Sequence, residues 1–463
     1  MKKLLLLSAV ALLCGSAQAK TDGQIYEPVN GIKIANQWVL DRQHKTNFTS
    51  MEACNARART AVMTEDIIYV ARSEAKSIVN GNDTISASVI YRFKTEDGTP
   101  LPELDVTLDG SPYGAFLGVN QIGVDNFGHL WVMPYTSEAE ASTSVPLYAL
   151  DKETGALTLI ARLPKGDVIQ RTDYYDVLGD ITREEAECNV MSAAANSAIV
   201  YRWHADQGDE FEGGFEGDTY LEILDFYPET VTQWALGPTV KMCYDPEAES
   251  PYAGELFYVD GFNSAPILYD VTGTMYDNFE DVDPDLLPWE IGANGCAEFT
   301  LEGRNFFVYA MAQYSGLDEK TNNYRACQIN ICELGEGMEI AGMSQYWMVP
   351  YDGLGDTSDG GNRVHCINTL YSQENGKDVV TLFTFKSYNG MAVYKIGTDV
   401  TGPDPDPEVY GDVDGNGIVD TADLAIVIDA ILGLSDNTAA DVDGNGIIDT
   451  TDMALVIDII LGL

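Results

Sequence analysis

The sequence predicts a mainly β chain: an about six-bladed β-propeller followed by a small α-helical module. Three observations carry that prediction. Between about residues 55 and 397 a pattern of short apolar strands and polar turns recurs six times. After residue 408 the composition turns abruptly acidic and the apolar spacing becomes helical. Two segments of this terminal region align with each other without a gap.

The first 19 residues stand apart from both regions. Lys2 and Lys3 form a charged start, residues 4–13 an apolar run, and Ala17-Gln18-Ala19 a small-residue cleavage site. Leu13 before Cys14 is too bulky for a lipid-attachment signal. The expectation is a cleaved signal peptide and a secreted or cell-surface protein. No stretch of about 18 apolar residues follows that would span a membrane.

The 463-residue chain carries 73 acidic against 26 basic residues, a net charge of −47. Such a surface repels nucleic acid and anionic lipid, and suits solubility and cation binding. Seven cysteines remain beyond residue 19, an odd number scattered over hundreds of residues, which is not a disulfide framework. Cys327 and Cys332 lie five apart in an expected strand and point to opposite faces. Buried thiols are the expectation, with long-range bridges left open.

In residues 20–397 each unit shows a second strand rich in aromatic and β-branched residues. Examples are DIIYVA (66–71), HLWVMP (129–134), AIVYRW (198–203), ELFYVD (255–260), NFFVYA (305–310) and VVTLFTF (379–385). A third strand follows, as in VIYRFK (89–94), PLYALD (146–151), YLEILD (220–225), ILYDVT (267–272), CQINIC (327–332) and MAVYKI (391–396). Turn signals at EDGTPL (96–101) and KETGAL (152–157) introduce a fourth. Radial repetition fits this pattern better than a sandwich. The last unit lacks its fourth strand, so GIKIANQWVL (31–40) is predicted to complete it.

Residues 398–408, TDVTGPDPDPE, alternate Pro with Asp and read as a stiff, self-repelling spacer. The terminal module, 409–463, holds eleven Asp and no Lys, Arg, Glu or His. Its copies start at Asp412 and Asp441. Calcium takes six to eight oxygens, and a loop of this spacing supplies them at its first, third, fifth, seventh, ninth and twelfth places. Those places are Asp412, Asp414, Asn416, the Ile418 carbonyl, Asp420 and Asp423 in the first copy. In the second they are Asp441, Asp443, Asn445, the Ile447 carbonyl, Asp449 and Asp452. Two Ca2+ ions are expected, with Gly417 and Gly446 allowing the sharp turns. No helix enters either loop, and only seven residues, 434–440, separate the first exit helix from the second loop.

Duplicated loop-helix units with Asp at the last ligand place, after a Pro-rich spacer, resemble a type I dockerin. The resemblance covers 55 of 463 residues. It implies a module that binds calcium in order to fold and docks onto a cohesin of a scaffold or surface protein. In that family it is typically carried by proteins of extracellular polysaccharide breakdown. Partner choice there leans on the pair before the last ligand, here Thr421-Ala422 and Thr450-Thr451, and on helix positions that are often basic, here Asp429 and Asp458. This departure points to a divergent cohesin or another surface protein. Helical spacing predicts a core of Leu424, Val427, Ile428 and Ile431 with Met453, Val456, Ile457 and Ile460. Ile426, Ala430, Leu455 and Ile459 are left for a docking face or for contacts elsewhere.

No catalytic motif is visible in the propeller region. His44, His129, His204 and His365 fall in separate units, where hydrogen-bonded structural roles are expected. Acids in TDYYDVLGDITREE (172–185), namely Asp173, Asp176, Asp180, Glu184 and Glu185, are the first cluster to inspect, though a solvated turn is the expectation. Trp289 and Tyr346-Trp347 are candidates for stacking on sugar rings. The leading expectation is an interaction protein whose propeller binds a glycan or protein. The alternatives are a polysaccharide-active enzyme, a glycoside hydrolase or lyase with carboxylates on the propeller face, and a structural surface protein.

Overall fold

A computed structural model describes residues 21–41, 58–72, 76–80, 83–115, 117–139, 143–167, 169–209, 211–213, 221–222, 238–261, 264–277, 292–311, 327–335, 340–351, 353–354, 365–387, 389–402, 411, 413, 419, 421–435, 437–443 and 446–461. The expected signal peptide, His44, Cys54, Trp289 and residues 403–408 of the spacer lie outside them.

Six antiparallel sheets form a six-bladed propeller. Blade 1 consists of Ala58–Met63, Ile67–Arg72, Val89–Lys94 and Pro100–Asp105, with the hairpin Lys76–Asn80/Asp83–Ala87 between its second and third strands. Blade 2 runs Gln121–Val124, Leu130–Met133, Ser144–Leu150 and Ala156–Pro164, extended at its outer edge by two short strands near residues 107–112. Blade 3 has Asp176–Gly179, Cys188–Ala193 and Ile199–Ala205, with short outer pairings at Glu212–Gly213 and Leu221–Glu222. Blade 4 comprises Thr239–Met242, Leu256–Gly261, Ser264–Asp270 and Met275–Asp277. Blade 5 comprises Gly292–Leu301, Arg304–Met311, Ile329–Glu333 and Ser344–Val349. Blade 6 holds His365–Glu374, Lys377–Lys386 and Gly390–Gly397.

The fourth strand of blade 6 comes from the other end of the chain. Lys33–Asp41 pairs antiparallel with Gly390–Gly397, from Lys33 opposite Gly397 to Asp41 opposite Gly390. The strand expected from 31–40 is therefore in place. Glycine is required at 390, where a Cβ would sit 2.4 Å from the Asp41 Cβ. From this outer strand the Trp38 indole donates to Thr95 O of blade 1 at 2.8 Å, joining the seam to the next blade.

One unit departs from the expected order. AIVYRW falls on the third strand of blade 3, and Leu221-Glu222, the described part of YLEILD, on an outer pairing, one rank later than predicted. The true second strand, Cys188–Ala193, has no aromatic residue, so it lacked the signature used to find the others. It is nonetheless buried along its whole length.

At five of the six junctions the first strands touch their neighbours. Blades 2 and 3 meet through Tyr175 N, which donates to Gln121 Oε1 at 2.6 Å, while Gln121 Nε2 donates to Tyr175 O at 2.8 Å. Between adjacent blades lie the apolar cores. Trp131 and Met133 of blade 2 pack with Tyr201 and Trp203 of blade 3, and Phe299 and Phe306 of blade 5 pack with Leu382 and Tyr394 of blade 6. Burying each such side chain is worth roughly 1.5–3 kcal/mol over exposure, so the sheets hold each other as well as themselves. Gly123 lies opposite Trp131, whose ring covers it so closely that a Cβ there would come within 2.1 Å. Among the described cysteines, Cys188, Cys243, Cys296, Cys332 and Cys366 form no disulfide.

The C-terminal module contains α1 (Thr421–Ile431), α2 (Thr450–Leu461) and a short 3-10 turn, Thr438–Ala440, between them. The helices touch, and Val413, Val427, Ala440 and Val456 form the center of a separate small core.

Candidate functional site

The second acidic loop is built around the start of α2. Asp449 caps the helix: its Oδ1 accepts Thr451 N at 2.6 Å, which holds the carboxyl below its usual range. Three residues on, Asp452 reaches back and accepts Asp449 N at 2.8 Å, the reciprocal half of a capping box. Its other oxygen accepts Asp443 N at 3.1 Å, and Asp441 Oδ2 accepts Gly446 N at 2.7 Å. These bonds draw the loop in on itself. Asp441, Asp443 and Asp452 each offer a carboxylate oxygen, all within 4.8 Å of one another. Gly446 has φ +85°, the left-handed conformation that the turn demands. Ile447 turns its side chain to solvent, which leaves its carbonyl as the group of use to a cation.

Three hard, oxygen-only donors around a tight turn fit calcium better than a softer metal. Asp441, Asp443, Asp449 and Asp452 with the Ile447 carbonyl are the described residues that would hold the ion, which supplies the positive charge that lets these acids converge. Asn445 lies outside the described residues, as do Asp412, Asp414, Asn416, Ile418 and Asp420 of the first loop. Of that loop Asp423 is described: fully buried at the start of α1, it accepts Val413 N at 2.7 Å.

The helix faces correct one expectation. Ile426 and Ala430 pack on the small core together with Leu424, Val427 and Ile431, whereas Ile428 is exposed. Leu424, Val427 and Ile431 of the expected core are in place, and Ala430, with Ile426 beside Val427, fills the stripe where Ile428 was expected. Ile428 joins Leu432 and Leu434 as exposed apolar side chains, and Thr421, Ala422, Thr450, Thr451 and Asp429 are also exposed.

In the propeller, Asp173, Asp176 and Asp180 of TDYYDVLGDITREE are drawn into separate structural tasks, while Glu184 and Glu185 are exposed, as a solvated turn requires. Asp173 is fully buried and takes two hydrogen bonds from Arg171 at 2.8 and 2.7 Å. Asp176 pairs with Lys241 of blade 4 at 3.0 Å and accepts Met242 N at 2.7 Å. Asp180 is buried, not solvated. Burial would raise its carboxyl, but donation from Glu185 N, the Thr182 hydroxyl and Thr182 N holds it below the usual range. His129 Nδ1 lies 3.0 Å from Asp125 and 3.2 Å from Asp180, and His204 bonds to Asn189 and Asp206. His365 is buried against Thr384, and burial holds its imidazole neutral. Tyr346 and Trp347, expected as sugar-stacking candidates, belong to the strand Ser344–Val349 and are buried, the Trp347 indole donating to Glu27 O. They offer no face to a ligand.

Sequence spacing missed a group on the first strands of blades 3 to 5. Glu298 lies close enough to Cys243, Tyr258 and Lys241 to feel all three, and burial raises its carboxyl. Its neighbours are distant in sequence, so only the ring closure assembles them.

Residues 410–461 match the family model of the dockerin type I domain. The C-terminal module is thus similar to type I dockerins, a calcium-related family. No curated protein matches the chain. Among solved structures, the chain is similar to the Trypanosoma rangeli sialidase in complex with sialic acid, with TM-score 0.38 and 8% identity over 83% of this chain and 59% of that one. It is similar also to that sialidase with 2,3-difluorosialic acid, with TM-score 0.37 and 9% identity over 74% and 54%. The chain spans a little over half the length of those structures, and at this overlap nothing of their chemistry is carried over.

Proposed function

We propose that this is an exported interaction protein in which a glycan-binding propeller is tethered, through two calcium loops, to a cohesin-like scaffold or surface partner. The observation that carries the reading is the second loop, where three carboxylates converge within 4.8 Å at the start of α2 inside the segment that matches the dockerin model. Asp412, Asp414, Asn416, the Ile418 carbonyl, Asp420 and Asp423 hold one ion, and their counterparts from Asp441 to Asp452 hold the second. Residues 1–19 direct export, 20–397 bind the ligand, 398–408 space the two parts, and 409–463 dock. Exposed Ile428, Leu432 and Leu434 supply apolar contact for the partner.

The test is capture of cell-surface and secreted proteins on the full chain, with calcium and with chelator, beside the Asp423→Ala/Asp452→Ala double variant. A partner held by the unaltered chain with calcium, and lost in both other cases, supports the plug. Capture that ignores both calcium and the substitutions refutes it.

A second reading, a polysaccharide-active enzyme, is favored by one observation. Glu298, its carboxyl raised by burial, neighbours Lys241, whose partner is Asp176. Two carboxyl groups flanking one site, the buried one raised, are an arrangement that glycosidic cleavage uses. Release of reducing ends from a polysaccharide panel, abolished in Glu298→Gln, supports this reading, and no release from any member sets it aside.

A further inference from the structure

Most exposed aromatic side chains of the propeller stand alone: Tyr276, Tyr351 and Tyr371 join no ring pair among the described residues. Phe127 and Tyr244 differ. Phe127, 37% exposed, lies 5.8 Å from the Tyr252 ring, and Tyr244, 48% exposed, lies 5.3 Å from that same ring. The three come from turns that join first to second strands in blades 2 and 4, so they share one rim of the ring.

Both turns are fastened to the blade between them. In the first, Asp125 Oδ1 accepts Phe127 N at 2.9 Å and His129 N at 2.8 Å, while its Oδ2 accepts Ile181 N of blade 3 at 2.9 Å. Asn126 adds Gly179 N at 2.8 Å. In the second, Tyr252 O accepts Asn189 Nδ2 at 2.8 Å and Ala253 O accepts Arg202 Nη2 at 2.5 Å. Rings held this way lose little freedom when a ligand arrives. Two exposed rings flanking a half-buried one on fixed backbone make an apolar strip that a ligand can cover.

We infer that Phe127, Tyr252 and Tyr244 form a binding platform for a neutral polysaccharide chain, rings of sugar lying on rings of the protein. This rests on the glycan-binding reading given above. An aromatic face suits the apolar C–H side of a sugar, and a tyrosine adds a polar tip. Neutrality follows from the surroundings: Asp245, Glu247 and Glu249, all exposed, follow Tyr244 in its loop and repel carboxylate or sulfate within a screening length.

The test is titration calorimetry of the full chain in calcium with soluble β-glucan and xylan oligosaccharides, and with oligogalacturonate as the acidic probe. Phe127→Ala and Tyr244→Ala are each expected to weaken neutral-chain binding on the order of tenfold, with Tyr276→Ala and Tyr371→Ala as unchanged controls. Should Phe127→Ala fail to fold, Tyr244→Ala and slowed hydrogen exchange over 243–255 in the bound state carry the test. Binding that is undiminished in both variants, or tighter to the acidic probe, overturns the platform while leaving glycan binding intact. No binding of any oligosaccharide by the unaltered chain overturns both.

Discussion

Asp260→Asn tests how far burial alone sets the acid response of the propeller. Asp260 is fully buried beside the blade 4–5 boundary, where it bonds the Thr239 hydroxyl and accepts Gly295 N at 2.7 Å. Burial raises its carboxyl from 3.8 to about 7, outweighing those bonds. The folded protein therefore holds a proton here that the unfolded chain releases between about pH 4 and 7. Stability from this group is fully present below 3.8 and is lost as pH rises toward 7. The gap of about 3 pH units at 1.36 kcal/mol each corresponds to roughly 4 kcal/mol. Asn keeps the shape and does not titrate. Urea unfolding of both proteins at half-unit steps from pH 4 to 7.5 isolates the effect, because carboxylates with lowered values, such as Asp180 and Asp270, cancel in the difference. The unaltered protein should lose several kcal/mol relative to Asp260→Asn across that window. Parallel curves would refute the reasoning.

Lys165 should produce the opposite slope at higher pH. Burial lowers it from 10.5 to about 7, so its contribution grows from pH 7 to 10.5, and Lys165→Met should flatten the stability profile there by an amount that urea melts detect. Gly295→Ala would set a Cβ 2.0 Å from His365 O at φ +134°, so a loss of more than about 3 kcal/mol in thermal or urea unfolding is expected. Asp452→Ala removes the acceptor for Asp443 N and Asp449 N. It should abolish the calcium-dependent gain in helical circular dichroism while the main melting transition stays in place, and loss of that transition as well would show one cooperative unit. Chelator should act in the same way on the unaltered chain.

The sequence and the structure agree where local pattern and global need coincide. VIYRFK, ELFYVD and NFFVYA alternate and branch as buried strands must, and each sits at its expected rank. The closing strand was legible because the last unit ran out of chain. Cys188–Ala193 was not, since a strand buried on both faces by small residues carries no periodic signal. The calcium loop was readable because its ligands are close in sequence, so spacing is geometry. Glu298 beside Cys243, or Phe127 beside Tyr252, come from separate blades, and only ring closure makes them neighbours. Tyr346-Trp347 misled for the converse reason: aromatic residues mark a core strand as readily as a binding face.

The outer position of Lys33–Asp41 has a mechanical consequence. Without it, Gly390–Gly397 would be an edge strand, and a pull on the chain beyond residue 397 could peel it away one hydrogen bond at a time. With it, that strand is bonded on both sides, to Lys377–Lys386 and to Lys33–Asp41. Tension applied beyond residue 397 must then strip two ladders together. A strand from near the other end of the chain thus sets the force that the last blade withstands, and such a pull is resisted at the very seam that closes the ring.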